Sequence, residues 1–100
     1  MTFSTHVLDT TTGRPAAGVA VLLDERELGS TDADGRLRPT GHLGPGRHRL
    51  TFGTGDYFGA RGVAAFYPEV TIAFTVTDPA EHYHVPLLLS PFGYSTYRGS

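Results

Sequence analysis

The chain contains no cysteine, and that single absence removes a disulfide scaffold, a thiol nucleophile and a thiolate zinc site together. Its 100 residues must therefore hold a small core unaided, or share the task with other subunits. Lysine is absent too: all eight basic residues are arginine, a choice that suits planar, bidentate recognition but that codon bias alone also produces. Long runs of like charge are missing. Eight arginines against ten acidic residues leave a net charge of −2, which argues against nucleic acid or an anionic membrane as partner and favours a small or neutral ligand. No stretch approaches a membrane span, and Met1 to Asp9 lacks a basic segment followed by an apolar one, so the chain reads as cytoplasmic. There is no glycine-rich phosphate loop, no G-x-S-x-G elbow, no internal repeat and no low-complexity segment.

What is present is punctuation. Thirteen glycines, seven prolines and thirteen threonines are scattered along the chain, dividing it into short pieces in the manner of an all-β fold. Phe3 to Asp9 alternates, with Ser4, His6 and Leu8 on one face and Phe3, Thr5 and Val7 on the other, before Thr12-Gly13-Arg14-Pro15 ends it. Val19 to Leu23 suits a buried strand, and Glu25 to Ser30 a polar connection or edge strand leading to the turn Thr31-Asp32-Ala33-Asp34-Gly35. Further strands are expected at Arg47 to Phe52, Val70 to Thr77, Glu81 to Leu89 and Tyr94 to Arg98. Only Gly59 to Phe66 has the alanine content to permit a helix, and a short one. Seven or eight strands in this length predict one domain over residues 1–100, a two-sheet antiparallel sandwich.

His82 and His84, two apart in a strand, project from one sheet face. With His6 they could form a three-histidine zinc site, or they are ordinary surface histidines. A metal-free arrangement is also available: a histidine as general base, an arginine to hold a carbonyl or anionic oxygen, and a hydroxyl or chain terminus to orient the substrate. Here too a bland reading stands beside the functional one, since His6 could be a partly buried, hydrogen-bonded histidine and Arg36 an exposed residue starting a strand. Ser4 and Ser100 can be assembled with histidine and aspartate into a triad only arbitrarily. Phe92, Tyr94 and Tyr97 read as packing aromatics.

The segments Ser4-Thr5-His6-Val7-Leu8-Asp9 with Thr12-Gly13-Arg14-Pro15-Ala16, then Thr31-Asp32-Ala33-Asp34-Gly35-Arg36, Thr54-Gly55-Asp56-Tyr57-Phe58, Phe66-Tyr67-Pro68-Glu69, and His82-Tyr83-His84-Val85-Pro86-Leu87-Leu88-Leu89-Ser90 follow one another along the chain. Together they resemble the transthyretin-related family of 5-hydroxyisourate hydrolases. The ending Tyr97-Arg98-Gly99-Ser100 matches the tetrapeptide that separates the hydrolases from hormone-carrying transthyretins. The resemblance spans nearly the whole chain. It implies a transthyretin-like (prealbumin-like) β-sandwich with a short helix at about Arg61 to Phe66, and a homotetramer with active sites at the subunit interface. It also implies a catalytic set of His6, Arg36 and His84, with Tyr97 and Ser100 lining the same site and neither metal nor cofactor. The activity implied is hydrolysis of the ring amide of 5-hydroxyisourate to 2-oxo-4-hydroxy-4-carboxy-5-ureidoimidazoline in urate degradation. The competing reading on the same fold is a non-enzymatic small-ligand carrier or spacer, which would need none of those residues. One departure is visible: Asp24 to Ser30 is shorter than in the family pattern and lacks its tryptophan, which predicts a trimmed hairpin away from the chemistry.

Overall fold

The computed structural model describes residues 3–100. Its strands are β1 (Phe3–Asp9), β2 (Arg14–Pro15), β3 (Ala20–Leu23), β4 (Arg26–Ser30), β5 (Arg36–Leu37), β6 (Gly46–Phe52), β7 (Val70–Val76), β8 (Tyr83–Ser90) and β9 (Gly93–Thr96), with a single helix, α1 (Thr54–Gly59), among the described residues. One sheet runs β2-β1-β8-β9, with β5 also pairing β1; the other runs β4-β3-β6-β7. The expected sandwich is there, and the period-2 alternation explains it. Phe3, Val7, Tyr83, Val85, Leu87 and Leu89 of the first sheet and Val21, Leu50, Phe52, Val70 and Val76 of the second form one buried core. No described helix is long and apolar enough to cross a membrane.

Three details differ from the sequence expectation. First, the sandwich is not antiparallel throughout. β1 and β8 run parallel, in register from Phe3 opposite Tyr83 to Asp9 opposite Leu89. A parallel pair requires a crossover, and here everything from β2 to β7 lies between the two partners in the chain, so local sequence carries no sign of their direction. Second, the helix is Thr54–Gly59, not Gly59 to Phe66 or Arg61 to Phe66. Intrinsic preferences differ by at most about 1 kcal/mol per residue, whereas burying an aromatic side chain such as Phe58 contributes roughly 1.5–3 kcal/mol. Phe58 and Tyr57 are both buried, and the Tyr57 hydroxyl donates to the buried Asp9 carboxyl at 2.9 Å. Phe66, by contrast, is tied by its N–H to the Pro91 carbonyl at 2.8 Å. Third, the last strand stops at Thr96, short of Arg98.

The segment Glu25 to Ser30 resolves into the edge strand β4, joined to β3 by a tight turn in which Asp24 and Glu25 both have positive φ, 50° and 67°. Asp24 accepts from the backbone N–H of Arg49 at 2.9 Å and from His48 at 2.7 Å, pinning the turn to β6. The trimmed hairpin thus belongs to the second sheet.

The Tyr57–Asp9 bond anchors the helix to β1. The other Asp9 oxygen is held by the Thr11 N–H at 2.9 Å, so Tyr57→Phe leaves a buried acceptor without its partner. Equilibrium denaturation of that variant should show a loss of about 1–3 kcal/mol with the fold retained.

Candidate active site

The outward face of the first sheet carries the chemistry. Because β1 and β8 are parallel and in register, Ser4 lies level with His84, and His6 with Pro86. On the other side of β1, β5 sets Arg36 opposite His6. The loop preceding Arg36 is stiff. The Asp32 carboxylate accepts from the N–H groups of Asp34 at 2.8 Å and Arg36 at 2.9 Å, and the Asp32 N–H donates to the Arg36 carbonyl at 2.9 Å. These donors, the Arg36 N–H foremost, hold the Asp32 carboxyl below its usual pKa. Gly35, at φ 72°, lets its carbonyl accept from the Val7 N–H at 2.8 Å. A Cβ there would run into the Val7 carbonyl oxygen, so this residue cannot carry a side chain without moving Arg36.

A cleft of about 480 Å³ opens on this face, lined by Ser4, Arg36, Arg38, His82, His84 and Ser100. That volume suits a bicyclic, purine-sized molecule. At its floor the buried Ser4 hydroxyl lies 2.8 Å from His82 Nε2 and 2.8 Å from His84 Nδ1. Partial burial pushes the His84 pKa down, and the neighbouring Arg36, His6 and His82 push it further in the same direction. His84 is therefore a neutral imidazole at pH 7, the form in which a histidine accepts a proton.

The C-terminal segment closes one side. β9 pairs antiparallel with β8, the ladder breaks at Tyr97 and Arg98, and it resumes in the same register where the Gly99 N–H donates to the His84 carbonyl at 2.8 Å. The Arg98 guanidinium stacks over Tyr83, 4.6 Å from the ring centre, and pairs with Glu81 at 3.3 Å. Gly99 lies flat against the His84 ring. A Cβ at this position would overlap His84 Cδ2 and stand 3.1 Å from Cγ. Gly99→Ala is therefore expected to displace the imidazole or the tail and to reduce kcat/KM roughly 100-fold with little change in melting temperature, as steady-state kinetics beside a thermal melt would show.

Of the residues singled out in the sequence, Arg36, His84 and Ser100 line the cleft directly. His6 is half-buried opposite Arg36 in the β1–β5 pair and is not among the residues that line the cleft. Tyr97 faces elsewhere: it lines a neighbouring groove of about 320 Å³ between β7 and β9, which shares His84 with the cleft. Arg38 also lines the cleft, a residue that the motifs do not mark, although its position two residues after Arg36 is the signal for a shared face. The same spacing relates Ser4 to His6. Among the described residues no three histidine, aspartate or glutamate side chains are grouped to hold a metal ion, so His6, His82 and His84 do not form the three-histidine arrangement that their spacing allowed.

Comparison with known proteins places the chain and its fold in a family. Residues 3–99 match the family model described as Transthyretin: HIUase/Transthyretin family. The chain is 45% identical to a 5-hydroxyisourate hydrolase of Salmonella dublin over 108 residues, covering 97% of this chain and 79% of that protein. It is also 45% identical to the 5-hydroxyisourate hydrolase of Caulobacter vibrioides, over 97% of this chain and 96% of the relative. The structure of the Klebsiella pneumoniae 5-hydroxyisourate hydrolase superposes with a TM-score of 0.88 at 40% identity, covering 99% of this chain and 93% of the other. Sea bream transthyretin in complex with thyroxine superposes equally well, with a TM-score of 0.88 over 99% of this chain and 95% of that one, but at 28% identity. With its sandwich and nearly its full length matched, the chain belongs to the HIUase/Transthyretin family.

Proposed function

We infer that this chain hydrolyses 5-hydroxyisourate, opening its ring amide to 2-oxo-4-hydroxy-4-carboxy-5-ureidoimidazoline in urate degradation, and that the 100 residues act as one domain. The observation that carries the reading is a partly buried His84 sharing a cleft of purine size with Arg36, where burial and that guanidinium push its pKa down. Amide hydrolysis needs an activated water and a partner for the tetrahedral oxyanion. His84 takes the proton of the attacking water and passes it to the leaving ring nitrogen. Arg36 presents a planar cationic fork to the oxygen that gains charge, and His6 orients substrate beside it. Ser100 bounds the substrate on the C-terminal side, while Tyr97 stands in the neighbouring groove. The test is direct: generate 5-hydroxyisourate in place with urate oxidase and follow its ultraviolet decay with and without the protein. A decay rate that the protein does not change would sink the assignment.

No metal enters this scheme, because histidine and arginine already supply the base and the electrostatic partner. Exhaustive chelation is expected to leave the decay rate unchanged. Activity that disappears with chelator and returns with zinc would assign the histidines to a metal instead.

The assembly proposed is a homotetramer. β7 and β9 are edge strands of their respective sheets and flank the same groove, and unpaired strand edges are templates for another chain. Phe92, Tyr94 and Tyr97 are 72%, 43% and 58% exposed on or beside β9, more aromatic surface than such a short segment ordinarily leaves in water. The cleft is open on a sheet face, so a second copy laid over it would complete an active site at the interface. A cysteine-free chain gains nothing from an oxidising compartment, in keeping with a cytoplasmic protein.

A further inference from the structure

We propose that Ser4 is a positioning residue that holds His84 in the Nδ1–H tautomer by accepting its proton in a hydrogen bond, while donating its own hydroxyl hydrogen to His82 Nε2. The inference deepens the hydrolytic reading and rests on it. Ser4 is only 5% exposed, and its oxygen lies 2.8 Å from one nitrogen of each histidine. A hydroxyl has one hydrogen to give. Its two lone pairs could accept from both rings, but its own hydrogen would then lack an acceptor among the described residues, so it donates to one imidazole and accepts from the other, and the two rings cannot choose tautomers independently.

Two arrangements satisfy that constraint. If Ser4 donated to His84 Nδ1, His84 would carry its proton on Nε2, presenting a donor to the cleft where a base is needed. If Ser4 accepts from His84 Nδ1–H, the Nε2 lone pair is free to receive a proton from water. Two features favour the second. His84 gains a proton during the reaction, and an imidazolium carries hydrogen on both nitrogens, so an accepting Ser4 serves the neutral and charged ring without turning over, whereas a donating one would have to rotate. His82 is the exposed member of the pair, so its other nitrogen can satisfy its N–H with water and the ring takes either tautomer at little cost. The parallel register that levels Ser4 with His84 makes the arrangement a property of the fold and not of a loop.

Nitrogen-15 NMR of the histidines, at a pH where His84 is neutral, reads the tautomer in the resting protein. The expected results are an Nδ1–H His84 in the wild type and a shift toward Nε2–H in Ser4→Ala. With 5-hydroxyisourate, Ser4→Ala should lower kcat roughly 10- to 100-fold, short of the full loss of a base, with KM little changed. His82→Ala releases the Ser4 hydrogen to turn toward His84 and should lower kcat in the wild type yet have no further effect in the Ser4→Ala background. Circular dichroism confirms that the variants fold. The proposal is overturned by an Nε2–H His84 in the wild type, by a tautomer unchanged in Ser4→Ala, or by an equal His82→Ala effect in both backgrounds. Because the NMR readout needs no substrate, failure of the hydrolytic reading is separable: a chain with Nδ1–H His84 that leaves 5-hydroxyisourate untouched overturns the function and keeps the hydrogen-bond assignment.

Discussion

Alanine at His84, Arg36 or His6 should each lower 5-hydroxyisourate turnover by roughly two orders of magnitude or more while leaving the fold intact, the scale on which a base or an oxyanion partner acts. The largest effect is expected at His84, the residue whose pKa is pushed down by burial and by Arg36, His6 and His82. The pH profile follows from that direction. Activity should hold as the pH drops below the ordinary histidine value of 6.5 and fall only when His84 itself takes up a proton. The consequence for stability has the matching sign: the folded protein resists protonation at His84, so this residue opposes folding progressively as the pH falls through 6.5 toward its lowered value, and its cost is absent above that window. Arg36→Ala removes one of the charges that lower His84 and should therefore move the acid limb of kcat/KM upward as well as reduce its height. Arg36→Lys tests geometry separately, because a point charge cannot reproduce the planar fork. Near wild-type turnover in any of the three alanine variants would remove that residue from the mechanism.

Deleting Tyr97 to Ser100, or extending the chain beyond Ser100 with a tag, is the second change from which a large loss is expected. Terminal residues are ordinarily the most expendable part of a domain. Two of these four are tied down, Arg98 on Tyr83 and Glu81 and Gly99 on the His84 backbone, and Ser100 lines the cleft. The truncated chain loses Gly99's grip on β8 beside His84 and one wall of the site, so kcat/KM should fall by roughly 100-fold or more, while the melting temperature changes little because the core of the sandwich does not include these residues. Size-exclusion chromatography with light scattering separates catalysis from assembly. An intact oligomer that has lost activity assigns the tail to the site. Dissociation into smaller species assigns it to the interface, where burying Tyr97 would contribute about 1.5–3 kcal/mol per copy. Full activity in an intact oligomer would leave the tetrapeptide without a catalytic role.

Much of this molecule is legible in its residues taken one strand at a time. Alternation alone separates Phe3, Thr5 and Val7 from Ser4, His6 and Leu8, and burial follows it except at Ser4, which is buried against His82 and His84. The turn Thr31-Asp32-Ala33-Asp34-Gly35 declares itself by its Asx and glycine chemistry, and Arg36 follows it into β5. His82 and His84 share a face because side chains two apart must. The helix was misplaced because alanine content is a weak guide beside the burial of Phe58 and the bond from Tyr57 to Asp9. Tyr97, grouped with Ser100 on the strength of the terminal motif, turns into the groove beside β7.

The sandwich, the outward face on which the polar residues lie and the residue types able to hydrolyse an amide are thus written in the residues themselves, since each depends on periodicity, turn chemistry or side-chain chemistry within a few residues. It takes the folded chain to lay β8 parallel to β1, so that Ser4 meets His82 and His84, to set Arg36 opposite His6 across the β1–β5 pair, and to return Gly99 against the His84 ring. The contacts of Ser4 with His82 and His84 join residues close to opposite ends of the chain. Strand direction across so long a connection is fixed by how two sheets bury a common core, a property of the whole chain that no local pattern records.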